Sequence, residues 1–352
     1  MCKKLMLLIS LVLVLGLVDS VSAGDIYWWD DGGTGHSWYT PENWNPNSAP
    51  GSLDTVIINS PPYQGPVVDC NVGIDQMLGP TFYSDANQVM NFLSGNFEVD
   101  VWKLAQSGTG KATINMGGDS NVTAAVGDDY EFGGIHGPSN GDVEINITDN
   151  ATFTVQRAER GIHLGTRTGT TTVWNISGNA QVKSYGKHAI QLADHGTVIV
   201  NISDNASIIH NKWRNGDSDD GYVEIHMTGG EIEGGYMSIA DDGSGIFDFS
   251  GGTVDVEGLQ LKGRECSSVC EINVSGTADV TAWMAIRLSY GGCGPSTVNI
   301  SGGRLHSDWT MEMAFGTATS TLNMTGGSLG VERQLYAPVD VNATSIINLR
   351  DG

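Results

Sequence analysis

Three groups of residues in this chain combine types and spacings that bear on chemistry. The first is acidic and loop-borne: Asp128-Asp129, Asp217-x-Asp219-Asp220 and Asp241-Asp242, each beside a glycine. Carboxylates on flexible glycine-containing loops are the hard oxygen ligands that calcium takes. Asp217, Asp219 and Asp220 are therefore the metal candidates, and calcium is the one cofactor suggested. Solvated turns account for the same residues, and the stretch 215–221 departs from an EF-hand loop: its glycine comes one place late and no Glu stands at the twelfth position. The second group is a row of polar residues, each flanked by two apolar ones: His163, Gln191, Ser238, Gln260, Arg287 and Glu312. The third is aromatic: Trp213, Tyr236, Trp283, Trp309 and Tyr336.

Each group has a chemical use and a structural alternative. Acid–base catalysis needs paired carboxylates, or a base beside a cation. The polar row offers one Glu and one Arg and no carboxylate pair, so no catalytic residue is assigned. Asp241 and Asp242 stand as the weak candidates, because they follow Asn215-Gly216-Asp217 by one repeat. The aromatic group either stacks on successive sugar rings or shields a corner of the core. With the polar row it forms the candidate binding surface: Trp213, Tyr236, Trp283, Trp309, His163, Gln191, Gln260, Arg287 and Glu312. The eight histidines show no HExxH or i,i+4 spacing.

What positions these residues is a repeat. Ser296-Thr297-Val298-Asn299-Ile300-Ser301-Gly302-Gly303 recurs as Thr321-Leu322-Asn323-Met324-Thr325-Gly326-Gly327 and as Glu271-Ile272-Asn273-Val274-Ser275-Gly276. Looser copies centre on Asn115, Asn146, Asn175, Asn201, His226, Asp248 and Asn348, mostly 24 to 26 residues apart. A sustained period of this length marks a stacked array of supersecondary units. Within each copy apolar and polar residues alternate, which is the signature of strands with one face inward. Glycines at the ends of the phrases supply turns. The spacing predicts an all-β, single-stranded parallel β-helix (β-solenoid) of about ten coils. It is expected to be right-handed on the general preference for parallel connections. Asn146, Asn175, Asn201, Asn273, Asn299 and Asn323 each open an N-x-[ST] triplet. Their period favours a stacked amide ladder over glycosylation.

Residues 1–23 read as a secretory signal peptide: Lys3 and Lys4, an apolar run from Leu5 to Val18, then Val21-Ser22-Ala23. The expected location is secreted or cell-surface, with no transmembrane segment after cleavage. Residues 24–105 form an aromatic N-terminal cap with the first coils, and residues 106–352 carry the repeats. The chain ends inside a repeat phrase. It is therefore expected to be a fragment, or to close its last coil against a partner or by end-to-end self-association. With 17 basic against 40 acidic residues the net charge is −23, which repels phosphate backbones and argues against nucleic acid as a partner. Export permits a disulfide. Cys266 and Cys293 precede their anchors by nearly equal steps, which makes Cys266–Cys293 the favoured pair and Cys270–Cys293 the alternative.

The opening stretch adds a resemblance. Trp28-Trp29, Trp38, Asn43-Trp44, Pro50 and Asp54-x-Val56-x-Ile58 are similar to the start of many secreted bacterial β-helix proteins, including autotransporter passenger-like surface proteins. The resemblance implies that this segment closes the end of the helix. It also implies a structural or adhesive role, with one long polar face turned to extracellular polysaccharide or another cell-surface component. In pectin-lyase-like β-helix enzymes the substrate lies along such a face, so the alternative is a polysaccharide lyase or glycoside hydrolase of that class.

Overall fold

The computed structural model of the protein describes residues 25–350 except 30–32, 34–36, 53, 59–63, 69–71, 79–86, 105–108, 125–133, 139, 157–159, 187, 216–217, 219, 240–241, 263–266, 291–293, 315–316 and 339–341. The signal segment, Asp128, Asp129, Asp217, Asp219, Asp241 and both members of the Cys266–Cys293 pair lie outside the described residues. Cys270 is buried.

Alternation in the sequence becomes alternation in space. Thr171–Ile176, Thr197–Ile202, Tyr222–Met227 and Ser244–Phe249 all bury every second side chain. A single strand of this kind is half apolar and cannot stand alone. It is stabilised by pairing with its copies above and below, which closes a continuous apolar interior. The asparagine anchors fix the register: Asn146 lies opposite Asn175, and Asn175 opposite Asn201. The same step joins Asn273, Asn299, Asn323 and Asn348.

Three parallel sheets result. The asparagine sheet holds the repeat phrase itself. A tight turn leads to a middle sheet, represented by Thr152–Val155, Gln181–Ser184, Arg304–Ser307 and Ser328–Val331. A corner then leads to a loop sheet containing His188–Leu192, Thr310–Met313 and Gln334–Tyr336. Ser207–Asn215, Glu231–Ile239, Thr253–Leu261 and Asp279–Leu288 run unbroken round that corner and serve both sheets. The whole is a parallel β-solenoid of about ten turns. Gln88–Lys103 pairs in parallel with Ala112–Ala124, so the repeat registers are established before residue 106.

The turn after the asparagine strand requires left-handed backbone. Asp149 (φ 57), Gly178 (φ 70) and Asp204 (φ 58) supply it three residues past the anchor. In the Gly-Gly copies the second glycine does so, as at Gly303 (φ 64). A β-carbon there would lie 2.5 Å from the Ala278 carbonyl oxygen of the coil below, so the glycine serves both chain direction and coil spacing.

Near the N-terminus the interior is filled by aromatic rings. Trp38 and Trp44 meet edge to face at 4.7 Å, Trp29 and Trp44 at 5.0 Å, and Trp38 continues to Phe97 at 5.7 Å. The Trp44 indole N–H donates to the Trp38 carbonyl at 2.7 Å, which satisfies its one polar atom inside the core. No helix among the described residues is long and apolar enough to cross a membrane.

Candidate functional site

The asparagine anchors also index the corner between the middle and loop sheets. Ten residues past an anchor the sequence places Tyr185, Asn211, Tyr236, Gly258, Trp283, Trp309 and Arg333. The strand ladder sets Tyr236 and Gly258 one residue further round, since Tyr236 pairs with Lys212 and Gly258 with Ala285. The corner turns outward at Tyr185, Trp283, Trp309 and Arg333. Trp283 and Trp309 are each 47% exposed and Tyr185 is 45% exposed. Such exposure of full indole rings at one-coil intervals differs from the rest of the solenoid, whose other tryptophans past residue 100 are buried. Local geometry explains Trp283. The ladder slips where Val256 and Gly258 pair with Ala282 and Ala285, so Trp283 and Met284 together face one residue, Glu257. A bulge of this kind re-aims side chains and is common next to sites.

Trp213 does not belong to this column, which corrects the aromatic row expected from spacing. Tyr236 pairs with Lys212, while Trp213 pairs with Ile190 and Met237 and is fully buried. A shift of one residue in a strand moves a side chain to the opposite face. Its indole N–H donates to Asn215 Oδ1 at 2.7 Å within the core. Tyr336 is also displaced: it pairs with Glu312 and so extends the polar row. Counting from the anchors would have revealed both, since Trp213 and Tyr336 lie twelve and thirteen residues past theirs. The same count would have added Tyr185.

The polar row is a true ladder column, running His163, Gln191, Arg214, Ser238, Gln260, Arg287, Glu312 and Tyr336. Sequence reading omitted Arg214, because Trp213-Arg214-Asn215 lacks the second apolar flank that marks the other copies. The column is accessible from Arg287 onward, with Arg214 half-buried in its middle. His163, Gln191, Ser238 and Gln260 are buried, contrary to the expected solvent-facing row. The reason is local for the first two. Asp194 folds back over the strand and its carboxylate accepts from Gln191 at 2.9 Å and meets His163 Nε2 at 2.6 Å. These residues hold a loop against the sheet.

Toward the C-terminal third the column opens into a groove of about 230 Å³ lined by Met284, Arg287, Trp309, Thr310, Glu312 and Tyr336. Arg287 Nε donates to Glu312 Oε2 at 2.8 Å, and Thr310 donates to the other carboxylate oxygen at 3.4 Å. Burial works against the Arg287 charge, but its bond to Glu312, the Glu312 charge and the neighbouring Tyr290 and Tyr236 together outweigh that and hold the guanidinium above its ordinary pKa. The guanidinium also lies over the Tyr290 ring at 4.9 Å. Across the same corner Tyr236 reaches Met284 through its hydroxyl. A second groove of about 490 Å³ runs beside Trp283 and is walled by Glu233, Asp255 and Glu257. The structure thus brings Tyr236, Trp283, Arg287, Trp309, Glu312 and Tyr336 to one corner, and leaves Trp213, His163, Gln191 and Gln260 out of it.

Of the acidic candidates, Asp220 is described. Its carboxylate accepts from Thr168 at 2.5 Å and meets His195 Nδ1 at 2.8 Å. These bonds, Thr168 first, hold its pKa below the usual carboxylate value. Asp242 accepts at its backbone carbonyl from Ser268 at 2.6 Å. Neither residue converges with other carboxylates among the described residues. A convergent group that sequence reading missed lies at the corner instead: His306, Asp308 and Glu332, whose ligand atoms all fall within 4.8 Å of one another. Its only sequence signal is His306-x-Asp308, with Glu332 one coil later.

In comparisons with known proteins, no protein-family model, no curated protein and no solved structure matches the chain.

Proposed function

We propose that this protein is a secreted or cell-surface structural solenoid that binds extracellular glycan along the corner between its middle and loop sheets. The observation that carries the reading is the pair Trp283 and Trp309, half in solvent and one coil apart, above grooves lined with hydrogen-bonding groups. Exposed indoles contribute little to folding, and their flat apolar faces beside polar walls suit sugar rings. Coils stack about 4.8 Å apart, so the two rings serve neighbouring parts of one extended ligand. Glu233, Asp255 and Glu257 beside Trp283, together with the net charge of −23, disfavour polyanionic chains. The ligand class that fits is a neutral or amino-sugar polysaccharide.

One observation favours a second reading, a lyase or hydrolase of the pectin-lyase-like class: Arg287 and Glu312 form a cation–carboxylate pair in the accessible groove. One experiment separates the two. The mature chain is incubated with neutral, amino-sugar and acidic polysaccharides, and both retained protein and new chain ends are scored. Retention without cleavage, lost in a Trp283→Ala/Trp309→Ala double variant, is the expected result. New chain ends that vanish with Glu312→Gln would overturn it in favour of the enzyme.

A further inference from the structure

We propose that His306, Asp308 and Glu332 form a binding site for a divalent cation of the zinc type, a site that stands independently of the glycan reading. His306 lies on the outer face of Arg304–Ser307, Asp308 follows that strand, and Glu332 occupies the place of Asp308 one coil later. Stacking alone therefore brings the third ligand in. His306 Nε2 is 2.8 Å from Asp308 Oδ1 and 3.7 Å from Glu332 Oε1. One imidazole nitrogen with two carboxylate oxygens is a donor set that zinc accepts at bond lengths of about 2.0–2.2 Å. Ligand atoms already this close need only small side-chain movements to surround an ion.

Two features distinguish the group from an ordinary ion pair. The imidazole is fixed in place: it lies against Gly330 of the next coil, where any β-carbon would come within 2.3 Å of His306 Nδ1. The ring's orientation toward the two carboxylates is thus built into the backbone. The two arginines that adjoin the group in sequence, Arg304 and Arg333, are also engaged elsewhere. Arg304 donates to Asp279 at 2.8 Å and to Thr281 at 3.0 Å, and Arg333 lies over the Trp309 ring at 4.1 Å. The two carboxylates that converge on the imidazole bring negative charge that a divalent ion balances. Three protein ligands leave a four-coordinate ion one position for an exchangeable oxygen.

His226 provides an internal control. It too touches two carboxylates, but through different nitrogens: Nε2 to Glu224 and Nδ1 to Asp248, each at 3.1 Å. Those carboxylates stand on opposite sides of the ring and do not converge.

The test is calorimetric titration of the chelator-stripped full chain with Zn²⁺ and, separately, Ca²⁺, with a cobalt-substituted visible spectrum as a second readout. The expected result is one saturable zinc site. Its affinity falls by at least about 100-fold in His306→Gln, a loss at the upper end of what removal of a merely supporting group causes. The cobalt bands disappear with it, and His226→Gln leaves both unchanged. Glu332→Gln, at a mostly exposed position, gives a smaller loss and keeps the test valid if His306→Gln does not fold. Absence of saturable zinc binding, preference for calcium, or binding unchanged in both variants would overturn the proposal.

Discussion

The asparagine sheet and the corner between the other two sheets are built from the same coils and have opposite characters. In the asparagine sheet one residue type repeats and each copy serves its neighbours. Asn115, Asn146, Asn175 and Asn201 each donate from Nδ2 to the amide oxygen one coil below at 2.8–2.9 Å. After a break at His226 the column resumes from Asp248 through Asn273, Asn299, Asn323 and Asn348. At the corner the residue type changes from coil to coil, running Asn211, Gly235, Glu257, the bulged pair Trp283 and Met284, Trp309 and Arg333. Uniformity spends every polar group on the fold, and variety leaves groups over for something else. On the proposed reading, the difference locates stability in the first region and recognition in the second.

Four substitutions break or sharpen that contrast, and the core sets the scale. Trp213, read at first as part of the recognition column but fully buried, should cost about 3–5 kcal/mol as Trp213→Ala, measured by denaturant unfolding, with the corner otherwise unchanged. Its neighbour His210 predicts an acid limit. The ring packs edge to face on Trp213 at 5.5 Å, and neither of its nitrogens has a hydrogen-bond partner among the described residues. Burial pushes its pKa down from 6.5 to about 3. Below pH 6.5 the unfolded chain takes up a proton that the folded chain refuses. Stability is therefore intact above that pH and falls as pH drops toward 3, by up to about 4 kcal/mol. Thermal unfolding across pH 7 to 4 should lose one proton's worth of this slope in His210→Leu.

Within the ladder, position should decide the effect. Asn175→Ala removes one bond made and one received, and leaves both neighbours half-buried and unsatisfied, for a loss of about 1–3 kcal/mol. Asn348→Ala, at an exposed position with its one ladder bond to Asn323, should cost under about 0.5 kcal/mol. Equal losses at the two positions would contradict a cooperative amide column.

The fold was largely legible because the anchor phrase carries register, turn and burial in one short string. Val298 and Ile300 point inward, Asn299 outward, and Gly302-Gly303 turns the chain. The corner was only partly legible, for a physical reason. Loop lengths vary between coils, and the bulge at Trp283 inserts a residue, so spacing from one aromatic to the next does not preserve the face. Trp213 failed on a single-residue slip. The burial of His163 and Gln191 depends on Asp194 folding back, which no periodicity records. Glu332 joins His306 and Asp308 only through coil stacking.

The most direct test pairs one substitution from each region, Asn175→Ala and Trp309→Ala, and measures unfolding free energy and polysaccharide retention on both. Trp309→Ala should lose less than about 1 kcal/mol, the scale of its exposed stacking with Arg333. Retention should weaken about three- to tenfold, as expected for one aromatic contact. Asn175→Ala should do the reverse, losing stability and keeping retention while folded. If Trp309→Ala lowers stability and leaves retention untouched, the corner is part of the scaffold and the division between the two regions is wrong.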